Sequence, residues 1–279
     1  MKWIYFIGTE FAYIFRVRLN FFNKGNTKMR KQSNISFYNR FATALTLAFA
    51  ISGGANAATL LHDYQLNGTF ADALGGPSLV SSFGGTLTAN NFIFGANQGL
   101  SLSNGVTTNN NYSIAMTFQF SDLGGYRRIV EFKNLGADTG LYNLSTALNF
   151  FAATTGPVNA FAPNINVDLA LTRDGVTDLV TGYINGVQQI SFTDTNNLAV
   201  FSGPNNIMYF FRDDNVVVGE ASAGIVDRIC VYDGALSAGQ VRAGVCAATT
   251  QGNAPEPVSL ALLGLGLAGL GFSRRKSAR

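Results

Sequence analysis

The residues that could carry out acid–base or nucleophilic chemistry are few in this chain of 279 residues. Its middle part has two glutamates, Glu131 and Glu220, and the whole chain has one histidine, His62. A retaining glycosidase requires two carboxyl groups about 5 to 5.5 Å apart, and a histidine base requires a partner that positions it. No Gly-x-Ser-x-Gly sequence, P-loop or zinc-binding spacing accompanies these residues. We therefore expect a protein that is not an enzyme.

The distribution of charge argues against a nucleic-acid partner. The formal net charge is +3, but the basic residues are concentrated at the two ends of the chain. Residues 58–254 contain 7 basic and 14 acidic residues, a net charge of −7. A nucleic-acid-binding protein needs a basic face that neutralises phosphates. We therefore expect no nucleic-acid ligand.

The first 57 residues end in the pattern of a secretory signal. A basic stretch precedes an apolar run at 41–51, and a small-x-small cleavage site follows and ends at Ala57. The basic residues are Arg30, Lys31 and Arg40. The pattern predicts a signal helix within the N-terminal extension 1–57, with Met29 as the true start and residues 1–28 as an over-long gene prediction. A transmembrane anchor is the alternative, but the apolar run is well short of the roughly 20 residues that span a bilayer. For residues 1–28, a second membrane helix or an extended basic n-region is the alternative.

The last 29 residues, 251–279, have a second membrane-related pattern. Pro255, Glu256 and Pro257 precede an uncharged apolar stretch at 258–272, and the basic cluster Arg274, Arg275 and Lys276 follows it. The stretch measures roughly 22 Å as a helix, at about 1.5 Å per residue, which is short but usable with basic flanks. We predict a transmembrane helix at 258–272 whose basic end stays in the cytoplasm.

This tripeptide, helix and basic end resemble the PEP-CTERM sorting signal of Gram-negative bacteria. The resemblance implies an exported protein that is held in the inner membrane through its C-terminal helix and is then processed by an exosortase. It further implies delivery to the cell surface or to the extracellular matrix, with exopolysaccharide or a cell-surface glycan as a possible partner. An ordinary C-terminal anchor helix is the alternative.

The two cysteines, Cys230 and Cys246, both lie in the part of the chain that is expected to be exported. An even number of cysteines in an oxidising compartment indicates a disulfide. Closing a loop of about 15 residues stabilises a fold by roughly 3 kcal/mol in the chain-entropy model. Two buried free thiols are the alternative.

Residues 58–250 have the pattern of one all-β domain. Short runs of aromatic and β-branched residues alternate with Gly, Asn and Asp clusters. In 113–120 the even positions are apolar, as in a strand with one buried face, and Asn185-Gly186 is typical of a two-residue hairpin turn. Ser237 and Gln240 fit a helix capping box. The pattern predicts an antiparallel two-sheet sandwich or jelly roll, flanked by the signal helix and the transmembrane helix.

Five segments of this domain, in their order, resemble the laminin-G-like, concanavalin-A-like jelly roll. They are 64–72, 95–102, 112–118, 182–186 and 224–237. The resemblance implies a Ca²⁺ site formed by Asp72 and Asp227, since calcium prefers 6 to 8 oxygen ligands. Both aspartates are equally typical of turns, and Ala73 departs from the family pattern after Asp72. The glucanases of this fold carry Glu-x-Asp-x-x-Glu, which neither glutamate matches.

Carbohydrate binding is the usual inference from such a fold. Candidate stacking residues are Tyr126, Tyr142, Phe161 and Tyr209, although aromatic residues more often fill β cores. The run Tyr126, Arg127 and Arg128 fits an acidic polysaccharide, and a solvated strand edge explains it equally. We expect an exported structural or adhesive protein of the cell surface or matrix. The alternatives are a calcium-dependent carbohydrate-binding module and, less in keeping with the residues, a glucanase-type enzyme.

Overall fold

A computed structural model describes residues 58–244 and Cys246. Within this part of the chain, no helix has the length and hydropathy needed to cross a membrane. The predicted signal helix in 1–57, the predicted transmembrane helix at 258–272, the tripeptide 255–257 and the basic cluster 274–276 lie outside the described residues.

The described domain is a two-sheet antiparallel sandwich, which confirms the predicted all-β class. One sheet has eight strands in the order β12-β11-β10-β5-β14-β3-β2, with β1 also paired to β14. Its strands are β1 (Thr59–Tyr64), β2 (Thr86–Leu87), β3 (Phe92–Phe94), β5 (Tyr112–Phe120), β10 (Val167–Arg173), β11 (Leu179–Ile184), β12 (Val187–Thr193) and β14 (Gly224–Asp233). The other sheet has six strands in the order β4-β13-β6-β7-β8-β9. Its strands are β4 (Leu100–Leu102), β6 (Tyr126–Glu131), β7 (Gly140–Leu144), β8 (Ala147–Phe150), β9 (Thr154–Thr155) and β13 (Met208–Phe210).

The main core lies between the two sheets. The apolar side of β5 supplies Ile114, Met116 and Phe118, which are fully buried. From the facing sheet, Met208 and Phe210 of β13 enter the same cluster. Because side chains alternate along a strand, the residues between them face the outside of the sandwich. The outer face of the six-stranded sheet is therefore available for polar groups.

Two local predictions are confirmed in detail. Asn185 and Gly186 join β11 to β12 with φ values of 51° and 76°, as a type I′ turn requires. Ser237 caps a short helix, α1 (Ala238–Arg242), and the Gln240 side chain completes the capping box. A 3-10 turn at Pro204–Asn206 precedes β13.

A second, smaller apolar cluster lies on the outer face of the eight-stranded sheet. It contains Ala115, Cys230 and Tyr232 from the strands and Val241 from α1. Cys246 is buried in the same cluster. The helix therefore packs onto the strand that precedes it, and the chain after the helix returns to that strand.

Candidate functional site

The outer side of the six-stranded sheet holds a buried charge cluster around Arg128 in β6. The Arg128 side chain is fully buried. Its Nη2 lies 3.6 Å from Asp138 and 4.0 Å from Glu220, and its Nε lies 3.5 Å from Asp213. Nη2 also donates a hydrogen bond to Asp214. We call Arg128 with these four carboxylates the Arg128 centre.

Two further contacts hold the guanidinium of Arg128 in place. Its Nη1 donates to the Thr139 carbonyl at 2.9 Å, and its Cζ lies 4.3 Å from the centroid of the Tyr142 ring. The Tyr142 hydroxyl donates to Asp138 at 3.1 Å. A guanidinium on an aromatic face and among carboxylates is a favourable arrangement for a buried arginine.

The structure places the three residues of the predicted ligand-binding run, Tyr126, Arg127 and Arg128, in different surroundings. Arg128 is inside the protein and has no surface for a polysaccharide. Arg127 points to the other side and pairs with Asp122, with Nε 3.0 Å from its Oδ2. The Tyr126 ring packs edge-on against Tyr142. Adjacent strand residues face opposite sides of a sheet, so the two arginines do not form one basic surface.

The Arg128 centre also anchors the loop between β13 and β14. Asp213 Oδ2 accepts hydrogen bonds from the amides of Gly219 and Glu220 at 2.9 and 2.8 Å. Asp214 Oδ1 accepts from the amide of Val217 at 2.8 Å. Burial and the neighbouring Asp138 carboxylate raise the pKa of Glu220 above its usual value. The Asp213 and Asp214 carboxylates therefore hold this loop on the sheet.

These carboxylates do not fit a metal site. Oxygens of Asp138, Asp214 and Glu220 lie within 4.8 Å of one another. The Arg128 guanidinium lies among them, and a second cation would be repelled by it. Arginine is thus the cation of this cluster.

The two glutamates considered for catalysis lie in different networks. Glu220 belongs to the Arg128 centre. Glu131 is fully buried and accepts hydrogen bonds from the amides of Lys133 at 2.6 Å and Leu135 at 3.0 Å. Burial raises the pKa of the Glu131 carboxyl despite these hydrogen bonds. Glu131 therefore closes the turn after β6.

Asp72, one of the two predicted calcium ligands, accepts a group of local hydrogen bonds that we call the Asp72 clasp. Its Oδ1 accepts from the amides of Asp63 at 2.8 Å and Leu74 at 3.0 Å. Its Oδ2 accepts from the amide of Gly76 at 2.8 Å and lies 2.8 Å from His62 Nδ1. A carboxylate offers about four lone-pair sites, and these four contacts use all of them.

The clasp explains two further features. Burial raises the pKa of the Asp72 carboxyl, but the hydrogen bonds from Asp63, His62, Leu74 and Gly76 outweigh it and bring the pKa below the usual value. A Cβ on Gly76 would lie 2.5 Å from Asp72 Oδ2, so only glycine fits. The sequence did not indicate a partner for His62, and the structure pairs it with Asp72.

Asp227, the other predicted calcium ligand, has different neighbours. Its Oδ2 accepts a hydrogen bond from Asn166 Nδ2 at 2.7 Å, and burial raises its pKa. Within the described residues, neither Asp72 nor Asp227 belongs to a group of three or more close metal-ligating side chains. The side-chain arrangement thus gives no support to this calcium site, which stays a prediction.

The predicted disulfide is present in the structure. Cys230 of β14 and Cys246 are bonded, with their Cα atoms 5.5 Å apart. Asp63 Oδ1 lies 3.4 Å from Cys230 Sγ, and the Asp63 carboxylate forms two hydrogen bonds of 2.7 Å with Arg228. The bond closes the second apolar cluster and ties the end of the domain to its central strand.

A third feature combines an aromatic pair with an arginine. The Cζ of Arg212 lies 4.1 Å from the centroid of the Phe83 ring, and this ring lies 6.0 Å from that of Tyr209. The Tyr209 hydroxyl donates to Asn134 Oδ1 at 3.3 Å. We call Phe83, Tyr209 and Arg212 the Phe83 patch. Of the predicted stacking residues, Phe161 lies in the core, whereas Tyr209 is partly exposed.

One family model matches the C-terminal part of the chain. Residues 253–276 match the PEP-CTERM protein-sorting motif. This motif indicates an exported protein that passes through a membrane-anchored stage, and it implies processing by an exosortase. No sequence match to a curated protein is found.

Solved structures agree with the sandwich fold. Domain 4 of AbnA, an extracellular arabinanase of Geobacillus stearothermophilus solved with arabinotriose, is 20% identical with a TM-score of 0.50. The alignment covers 67% of this chain and 98% of that domain. Trypanosoma rangeli sialidase is 14% identical with a TM-score of 0.52, and the match covers 66% of this chain but only 32% of the sialidase. At these identities the likeness shows the fold alone.

Proposed function

We propose that the sandwich is a structural or adhesive component of the extracellular polymer layer, which an exosortase releases from the inner membrane to the cell surface or matrix. The observation that carries this proposal is the sorting motif at 253–276, which follows directly on a disulfide-closed domain. Disulfides persist in oxidising compartments outside the cytoplasm. A domain that works outside the cell benefits from such a covalent closure.

The interior charges support a structural role over an enzymatic one. Glu131 closes a turn, the Glu220 carboxylate lies 4.0 Å from Arg128 Nη2, and the His62 ring is engaged by Asp72. Each of these three candidate acid–base side chains therefore has a neighbour that gives it a structural role. We propose on this basis that the domain is not an enzyme, and the glucanase-type alternative has no site residue in its favour.

A second candidate function is carbohydrate binding. It is favoured by the Phe83 patch, where partly exposed aromatic rings lie beside an arginine. The similar fold of a domain solved with arabinotriose is in keeping with this function. The proposed carbohydrate binding does not depend on a calcium ion at Asp72, because the oxygens of Asp72 already accept hydrogen bonds.

The proposed function is tested by following the protein in cells that contain an exosortase and in matched cells that lack it. We expect the mature chain to lack its N-terminal signal and its C-terminal tail and to be recovered from the surface or matrix fraction. A variant with Pro255, Glu256 and Pro257 changed to alanine should remain in the membrane fraction. Mass spectrometry of both chain ends measures the processing.

An intact chain in the cytosol with reduced thiols would overturn the proposal. Equal processing of the alanine variant would show that the tripeptide is not the sorting signal. Recovery of the mature chain from the matrix supports the structural or adhesive role, since a released enzyme would instead be found in the soluble medium.

A further inference from the structure

We propose that the Phe83 patch binds the carboxylate of an acidic sugar within a polysaccharide. This inference rests on the proposed function, since it names the ligand class of the adhesive domain. It places acidic-polysaccharide binding at Phe83, Tyr209 and Arg212 instead of at Tyr126, Arg127 and Arg128.

Among the described residues, Arg212 forms no ion pair with a carboxylate. Within residues 58–244, six arginines are present, and four of them form ion pairs. Those four are Arg127, Arg128, Arg173 and Arg228. In this acidic part of the chain, Arg212 and Arg242 thus keep a charge that no neighbouring carboxylate neutralises. Arg242 lies in the last turn of α1, whereas the Arg212 guanidinium stacks on the Phe83 ring.

The guanidinium of Arg212 is held in one orientation by two contacts. It stacks on the Phe83 ring at 4.1 Å, and its Nη1 donates to the Asn97 carbonyl at 2.7 Å. A guanidinium has five N–H donors, so this single hydrogen bond leaves both N–H groups of Nη2 for a ligand. A planar, pre-oriented guanidinium is the side chain best suited to binding a carboxylate.

The carboxylates near Arg212 would repel an anionic ligand if they faced it, but they accept hydrogen bonds from backbone amides. Asp213 follows Arg212 in the chain, but its Oδ2 accepts from the amides of Gly219 and Glu220. Glu131 pairs in register with Tyr209, but its oxygens accept from the amides of Lys133 and Leu135. Both carboxylates are therefore turned toward backbone donors, and Arg212 determines the charge that a ligand meets at the patch.

The aromatic rings and the amide beside Arg212 suit a sugar as the ligand. The rings of Phe83 and Tyr209 are partly exposed and lie 6.0 Å apart. The C–H face of a pyranose ring is apolar and gains from burial against such rings, while the Asn134 side chain beside Tyr209 offers amide groups for hydroxyls. An acidic sugar presents an apolar face, hydroxyls and a carboxylate together, which matches the three features of the patch.

The test measures binding of the full chain, in a neutral detergent without sugar groups, to immobilised polygalacturonate by surface plasmon resonance. Dextran serves as the uncharged reference polymer. We expect wild-type protein to bind polygalacturonate above dextran, and Arg212→Gln to weaken binding at least tenfold, as the loss of a charge-assisted hydrogen bond implies. The matched control is Arg242→Gln, which removes the other unpaired arginine and should change binding less than twofold.

A second variant tests the aromatic ring that both orients Arg212 and offers an apolar face to the sugar. Phe83→Leu keeps an apolar side chain but removes the ring, and it should weaken binding about three- to tenfold. Melting temperatures within a few degrees of wild type establish that both variants are folded. If Arg212→Gln does not fold, the Phe83→Leu result alone decides.

Three results would overturn the inference. They are wild-type binding to polygalacturonate no stronger than to dextran, equal losses in Arg212→Gln and Arg242→Gln, and competition by poly-L-glutamate as effective as by oligogalacturonate. The last result would show a carboxylate site without recognition of the sugar. None of these results affects the processing experiment, so the two proposals fail separately.

Discussion

Replacing Asp72 by asparagine tests whether this residue acts through its hydrogen-bond clasp or through a bound cation. The carboxylate accepts three backbone amides and pairs with His62. Asparagine keeps one oxygen and places an NH₂ group against the remaining donors. The variant therefore loses two hydrogen bonds to a charged acceptor.

The expected loss follows from these contacts. Hydrogen bonds to charged groups contribute about 1.5 to 3 kcal/mol each, so Asp72→Asn should lower the free energy of unfolding by about 4 kcal/mol. At about 2 to 4 °C per kcal/mol for a domain of this size, the melting temperature falls by roughly 8 to 16 °C. Asp227→Asn is the matched control. Its amide oxygen still accepts from Asn166, and we expect a loss below about 1 kcal/mol.

The pH dependence gives an independent check. The pKa of Asp72 is lowered on folding from its ordinary value of 3.8. Its contribution is therefore present above that value and is lost as the pH falls through the lower folded pKa. The wild-type protein should lose more stability than Asp72→Asn over this acidic range.

Urea unfolding followed by far-UV circular dichroism measures both variants, with chelator and with added calcium. A loss below about 1 kcal/mol for Asp72→Asn would refute the clasp. Equal losses for both aspartates that appear only with calcium would show that the two residues share a cation.

The remaining predictions concern the disulfide, the Arg128 centre and calcium. Changing Cys230 and Cys246 to alanine should lower the free energy of unfolding by about 3 kcal/mol, because the bond closes a loop with a sequence separation of 16 and the unfolded chain gains entropy without it. A loss below about 1 kcal/mol in urea unfolding would contradict this reasoning. Arg128→Met should lower the free energy of unfolding by about 3 to 5 kcal/mol, because it leaves buried carboxylates without a countercharge. Arg127→Met should lower it by less than about 1 kcal/mol. The loss of stability in Arg128→Met should be smaller at acidic pH. The pKa of Glu220 is raised, so this carboxyl binds a proton and becomes neutral more readily in the folded state. An equal fall in melting temperature at pH 5 and at pH 7 would argue against this explanation. Excess chelator should leave the wild-type melting temperature unchanged, and a clear fall would show that the domain binds a metal.

Features with a local physical cause could be predicted from the sequence. The alternation along β5, the Asn185-Gly186 turn and the capping box of Ser237 each depend on residues close together in the chain. The disulfide could be inferred because only two cysteines are present and the termini indicate export. These local signals were sufficient to predict an all-β sandwich of two sheets.

The charge partners could not be predicted in this way. Arg127 and Arg128 are adjacent and look alike in the sequence, but strand geometry turns them to opposite sides. The partner that neutralises Arg128 is Asp214, 86 residues further along the chain. Only the folding of the β13–β14 loop onto β6 brings the two together.

The sequence by itself therefore determined the class of fold, the disulfide and the sorting signal, because short-range patterning and composition encode them. The tertiary structure decided which polar groups are engaged and which are free. It places Asp72 in a saturated clasp and Arg128 in the interior, and it leaves Arg212 without a carboxylate on an aromatic surface. The physical reason is that a charge finds its partner across the sheets, at separations that no local pattern records.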